Sequence, residues 1–166
     1  MVADDMGYGD FGLYSEGRVH TPALDELAGQ SVRLTQHYAG SAVCSPSRSA
    51  LLTGRYPIRT GAITPQEVLG NDRIALDEAT IGDSFKAAGY ATGMVGKWHN
   101  GALDPRFHPN ARGFDEFVGF RGGWADYYKW NLDRNGSFEK SDGRYLTDVL
   151  ADEAASFINR HKNEPF

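Results

Sequence analysis

The chain reads as an α/β protein, a sheet with helices on its faces, and three observations predict it. Segments of helical period alternate with short apolar runs of strand length. Capping residues and glycines mark where the helices start and stop. Polar pairs follow directly on two of the apolar runs, where open α/β sheets place their ligands. With 166 residues, 40% hydrophobic and 12% aromatic, the chain can bury a sizeable core. Its net charge of -5 and its lack of any block of like charge argue against a nucleic-acid surface. No apolar run approaches the ~18–20 residues of a membrane span. The single cysteine, Cys44, excludes an internal disulfide framework.

Met1-Val2-Ala3 reads as the end of a buried strand. Asp4 and Asp5 stand at its exit, before the glycine loop Gly7-Tyr8-Gly9-Asp10. Adjacent carboxylates repel unless a cation holds them, and hard divalent ions take such oxygen ligands. The same pair also suits a solvated turn, and Asp10 suits a turn or cap. Thr21 as N-cap, Pro22 in the first position and acids in the first turn start a helix. Leu24, Leu27 and Ala28 form its apolar face and Gly29 ends it. Residues 31–39, with Val32, Leu34 and Tyr38 among polar neighbours, alternate as a strand does. His20 and His37 have no partners in sequence and read as surface or packing residues.

Residues 41–61 hold the cysteine. Ser45 is a good N-cap and Pro46 suits the first helical position. Ala50, Leu51 and Leu52 continue the helix until Gly54 stops it. Cys44 is thereby expected just outside a helix N-terminus, where free N–H groups and the dipole favour anions. Arg48 in the first turn adds a guanidinium fork matched to an oxyanion. A lone cysteine also reads simply as a small buried hydrophobe.

Residues 55–79 lack periodicity and read as a long surface connection. Thr80-Ile81-Gly82-Asp83 opens a helix with a capping box, carried by Phe85 and Ala88 to Gly89. Residues 91–96 form a short buried strand leading into Lys97-Trp98-His99. On an extended chain Lys97 and His99 share a face, with Trp98 opposite. A cation beside an imidazole suits a site that stabilises negative charge and moves protons. The aromatic stretch Trp124 to Trp130 reads either as core beneath a loop or as a sugar-stacking surface. His108 lies in a polar loop and suggests no function. Leu146, Val149, Leu150, Ala154, Phe157 and Ile158 give the last helix one apolar face. Its acids come early, and Arg160, His161 and Lys162 lie at its end, as the macrodipole favours.

Cys44-Ser45-Pro46-Ser47-Arg48, followed by Leu51, Thr53, Gly54 and Arg55, resembles the sulfatase signature Cys-x-Pro-Ser-Arg with its Leu-x-Thr-Gly-Arg continuation. Ala3-Asp4-Asp5 and the glycine loop resemble the opening of that family. Gly89-Tyr90 through Gly96-Lys97-Trp98-His99 resembles its second signature, and Arg112-Gly113-Phe114-Asp115 a recurrent segment without a catalytic role. The resemblance implies the alkaline-phosphatase-like sandwich, a mixed sheet flanked by helices, incomplete here at both ends. It implies a sulfuric ester hydrolase acting on an aryl or carbohydrate sulfate. A formylglycine-generating enzyme would oxidise Cys44 to formylglycine, whose hydrated aldehyde is the nucleophile. Asp4, Asp5 and the modified Cys44 would be ligands of Ca2+, or of Mg2+ in some relatives. Lys97 would bind the sulfate, Arg48 would neutralise its oxygens, and His99 would hydrogen-bond the hydrate or the substrate.

The same resemblance places further metal ligands, another His and a Lys beyond Phe166. Residues 1–166 are therefore expected to be the N-terminal part of a catalytic domain, with little turnover alone. The family resemblance suggests a periplasmic, secreted or lysosomal protein. Three other readings stay open. One is a phosphate or phosphonate monoester hydrolase of the same superfamily. Another is a non-catalytic glycan-binding module using Trp124, Tyr127 and Tyr128. The last is a thiol enzyme using Cys44 directly.

Overall fold

A computed structural model describes all of residues 1–166, which fall into two units, Met1–Tyr38 and Ala39–Phe166. The first unit holds two short 3-10 turns, Tyr8–Asp10 and Gly12–Tyr14, and helix α1, Pro22–Gly29. Asp10 closes the glycine loop as expected, its carboxylate accepting from Gly7 N–H at 2.9 Å. Pro22 takes the first position of α1, but Thr21 does not cap it. The Thr21 hydroxyl accepts instead from Gly12 N–H at 2.8 Å and donates to Asp25 at 3.0 Å. Neither segment expected as a strand here, residues 1–3 or residues 31–39, forms one. A strand exists only through a ladder with a neighbour, and neither segment pairs with one. Val2, Val32, Leu34 and Tyr38 are all exposed.

The second unit is built on a four-stranded sheet of β1 (Gly93–Lys97), β2 (Glu116–Phe120), β3 (Asn131–Arg134) and β4 (Ser137–Lys140), in that order. β1 and β2 run parallel, with Lys97 opposite Phe120, and the remaining pairs are antiparallel. The hairpin β3–β4 turns on Asn135-Gly136, both at positive φ (52° and 92°). That is the two-residue turn whose twist matches its strands. β1 and β2 approach so closely that a Cβ on Gly119 would lie 1.9 Å from the Gly96 carbonyl oxygen.

Helices frame this sheet. They are α2 (Cys44–Thr53), α3 (Pro57–Thr60), α4 (Ile81–Ala87) and α5 (Leu146–His161). α4 begins with the expected capping box, in which Asp83 N–H donates to the Thr80 hydroxyl and Thr80 N–H to the Asp83 carboxylate. α5 packs on β1 and β2. Its Leu146 and Val149 join Val118, Trp130 and Leu132 in one apolar cluster. A second cluster joins Trp98, Phe114 and Phe117, with Leu52 of α2 and Met94 of β1 against it. Successive residues Phe117 and Val118 serve different clusters, so β2 is buried on both faces.

The aromatic stretch divides between its two readings. Trp130 is core and donates to the Arg144 carbonyl, whereas Trp124, Tyr127 and Tyr128 are exposed. His108 is not in a solvated loop, since it is buried with Nε2 3.1 Å from the Asp133 carboxylate. Residues 55–79 are not merely a surface connection either, because Thr60, Ala62, Asp72 and Ile74 are fully buried. No helix is long and apolar enough to cross a membrane.

Candidate active site

α2 starts two residues earlier than its sequence suggests. Val43 is the N-cap, and the first turn closes through Ser47 N–H to the Val43 carbonyl at 3.0 Å. Cys44 is therefore the first helical residue rather than a flanking one. Ser45 does not cap because its buried hydroxyl donates to the Asp72 carbonyl at 3.0 Å. Pro46 at the third position still costs no hydrogen bond, since the first-turn N–H groups have no intrahelical acceptor. Gly54, at φ 68°, ends the helix as expected, its N–H reaching the Ala50 carbonyl. Cys44 is half-buried and carries no disulfide.

Two ties bring the start of α2 to the exit of β1. Arg48 donates from one guanidinium nitrogen to the Lys97 carbonyl at 2.6 Å. Asp72, whose carbonyl holds Ser45, accepts with its carboxylate from Gly101 N–H at 2.9 Å and Ala102 N–H at 3.3 Å. The segment after β1 is thus pinned to the cysteine helix through Arg48 directly and through Asp72 indirectly. Three of the four expected catalytic residues, Cys44, Arg48 and Lys97, stand on these tied elements.

His99 departs from the expected geometry. Trp98 and His99 continue the pairing with β2 through N–H bonds to the carbonyls of Phe120 and Arg121, each at 3.0 Å. His99 itself has φ 54°, so the extended alternation that would align it with Lys97 stops there. The ring is 4% exposed. Its Nε2 lies 3.2 Å from the Pro65 carbonyl and 3.6 Å from the Glu67 carboxylate. Its Nδ1 is buried and has no hydrogen-bond partner. Burial pushes the imidazole below its ordinary pKa, helped by the charge of Lys97 and opposed by the Pro65 carbonyl, Glu67 and Asp72. His99 is therefore held neutral near pH 7.

Pro65, Glu67 and Asp72 have no counterpart among the residues read from sequence. They lie in the aperiodic stretch 55–79, where no spacing signals their convergence on His99. Asp4 and Asp5 belong to the first unit, where both are exposed and Asp5 has φ 57°. Their hard oxygen donors fit Ca2+ or Mg2+. Within neither unit, however, do three His, Cys, Asp or Glu side chains converge as a metal cage.

Comparison with known proteins bears on this arrangement. A family model described as Sulfatase matches residues 1–166. The chain is 46% identical to N-acetylgalactosamine-6-sulfatase of Sus scrofa over 129 residues, 72% of this chain and 24% of that protein. Among solved structures it is similar to Ps i-CgsB in complex with k-i-k-neocarrahexaose, at 34% identity and a TM-score of 0.89, covering 99% of this chain and 42% of that one. It is also similar to BT4656 in complex with its substrate D-glucosamine-2-N,6-O-disulfate, at 30% identity and a TM-score of 0.82, covering 98% and 31%. The chain thus spans about a quarter of the length of the curated relatives it matches. The mixed sheet and its helices have the alkaline-phosphatase-like fold of these structures.

Proposed function

Because the chain belongs to the sulfatase family, we propose that residues 1–166 are the N-terminal part of a sulfuric ester hydrolase that removes sulfate from a carbohydrate, with residue 44 as the nucleophile position. The observation that carries this reading is the 2.6 Å bond from Arg48 to the Lys97 carbonyl, which joins the cysteine helix to the exit of β1. The carbohydrate class is supported by N-acetylgalactosamine-6-sulfatase and by the two sugar complexes among the similar proteins.

Each residue has a physical task. Arg48 and Lys97 bring positive charge to the oxygens of a sulfate ester, whose leaving oxygen gains charge as the ester bond lengthens. The first-turn N–H groups of α2 and its dipole favour the same anion. His99, held neutral by burial, has an unpartnered Nδ1 lone pair that takes a proton. Oxidation of Cys44 to formylglycine would supply a hydrated aldehyde with two hydroxyls, one to accept the sulfuryl group and one whose deprotonation releases it. Asp4 and Asp5, with residue 44, would hold a divalent cation, which supplies the charge that lowers a hydroxyl pKa. These two carboxylates are only part of the six to eight oxygens that Ca2+ takes.

The test is mass spectrometry of the peptide containing position 44, after coexpression with a formylglycine-generating enzyme. The expected result is an aldehyde at position 44 that a hydrazide traps. A thiol at position 44, in a sample where a control sulfatase is converted, overturns the reading.

A further inference from the structure

Resting on the reading of His99 as the proton acceptor, we propose that Glu67 is its positioning residue. Seated on the backbone of Gly122-Gly123, the Glu67 carboxylate holds the His99 ring with the proton on Nε2 and balances the imidazolium that forms when Nδ1 is protonated. The first support is the pair of oxygens facing Nε2, the Pro65 carbonyl at 3.2 Å and Glu67 Oε1 at 3.6 Å. Both are acceptors only, so Nε2 donates and a neutral ring carries its lone pair on Nδ1. The second support is that Glu67 is fixed rather than free to swing. Gly123 N–H donates to Glu67 Oε1 at 2.6 Å, which anchors the carboxylate.

The third support is the absence of side chains around this contact. A Cβ on Gly123 would stand 2.6 Å from His99 Cε1 and 2.9 Å from Nε2. A Cβ on Gly122 would stand 3.0 Å from Glu67 Oε1. The Gly123 backbone therefore reaches the ring only because Gly123 lacks a side chain, and a side chain on Gly122 would press on the Glu67 carboxylate. The charged groups that act on the ring are Lys97, Glu67 and Asp72. Lys97 disfavours the imidazolium, and Asp72 favours it less than Glu67 does. Asp72 is also committed to the N–H groups of Gly101 and Ala102. Glu67 is thus the carboxylate in contact with the ring.

The experiment is nitrogen-15 NMR of the histidine side chains in the whole 166-residue chain, which has five histidines. The His99 signals are assigned by their loss in His99→Gln. The expected wild-type state near neutral pH is a neutral ring protonated on Nε2, and a proton on Nδ1 overturns the proposal. In Glu67→Gln, which keeps an oxygen for Gly123 N–H but no charge, the His99 titration midpoint falls by about one pH unit or more. An unchanged midpoint, with the remaining amide spectrum intact, also overturns it. Should Glu67→Gln fail to fold, the wild-type tautomer still decides. Neither readout needs conversion of Cys44 or turnover. A thiol at position 44 would therefore sink the hydrolase reading alone, and an uncoupled His99 this one alone.

Discussion

Trp98 sits between the two expected site residues Lys97 and His99, and its replacement by phenylalanine gives a sharp test of how the site is supported. The side chain is fully buried against Phe114 and Phe117, with its ring edge-on to Phe114 at 6.0 Å. Its Nε1 donates to the Phe107 carbonyl at 2.9 Å. Trp98→Phe leaves that buried carbonyl without this donor, at a cost of about 1–3 kcal/mol. Loss of the smaller indole ring adds a cavity, and since full truncation of a buried Trp costs about 3–5 kcal/mol, this fraction is about 1–2 kcal/mol. The sum, about 2–5 kcal/mol, is a large share of the ~5–15 kcal/mol that holds an ordinary domain together.

The chain carries its own controls, because it has three tryptophans in different settings. Trp130 is 2% exposed and donates to the Arg144 carbonyl at 3.0 Å, so Trp130→Phe is expected to cost a similar amount. Trp124 is 79% exposed, and Trp124→Phe is expected to stay within about 0.5 kcal/mol of wild type. Urea unfolding followed by far-ultraviolet circular dichroism measures all three. A Trp98→Phe midpoint no lower than that of Trp124→Phe would refute the claim that this indole supports the β1 exit.

Two further outcomes follow from the sheet and from its last helix. Gly119→Ala places a methyl 1.9 Å from the Gly96 carbonyl, so β1 must separate from β2. The expected loss is about 1–3 kcal/mol or more, with faster amide exchange in β1, and wild-type exchange there would count against the close approach. His161 is held above its ordinary pKa of 6.5 by its bond to Glu116 and then by Glu164. Its contribution is therefore full below pH 6.5 and is lost as pH rises through the higher native value. The histidine spectra should show a His161 midpoint above 6.5 that falls in Glu116→Gln, and a midpoint at or below 6.5 in wild type contradicts the pairing.

How far the chain could be read without its structure depended on the range of the interaction concerned. Where the physics is local, the reading held. The Thr80–Asp83 capping box, the Gly54 stop and the apolar face of α5 each depend on residues a few positions apart; the first two form, and the α5 face buries Leu146 and Val149 but leaves Ile158 exposed. The Asn135-Gly136 turn is equally local, and the hairpin 131–140 that it closes lies outside the elements expected above. The motif residues Cys44, Arg48, Lys97 and His99 were named from their neighbours in sequence. The sheet-and-helix class followed from the alternation of periods.

Distant partners decided the rest. Ser45 is a good cap by type, yet its hydroxyl belongs to Asp72, and the start of α2 shifts to include Cys44. Residues 1–3 and 31–39 have strand patterning but no ladder, because alternation specifies a face and not a neighbour. The turn of His99 out of the β1 alternation, and the meeting of its ring with Pro65, Glu67 and Gly123, join three stretches that no periodicity connects. The sequence by itself determined which groups could do chemistry, because side-chain type and cap signals are written residue by residue. Only the tertiary structure decided which oxygens face His99 Nε2 and what holds Arg48 at the strand end, because hydrogen bonds and burial act between atoms that folding alone brings together.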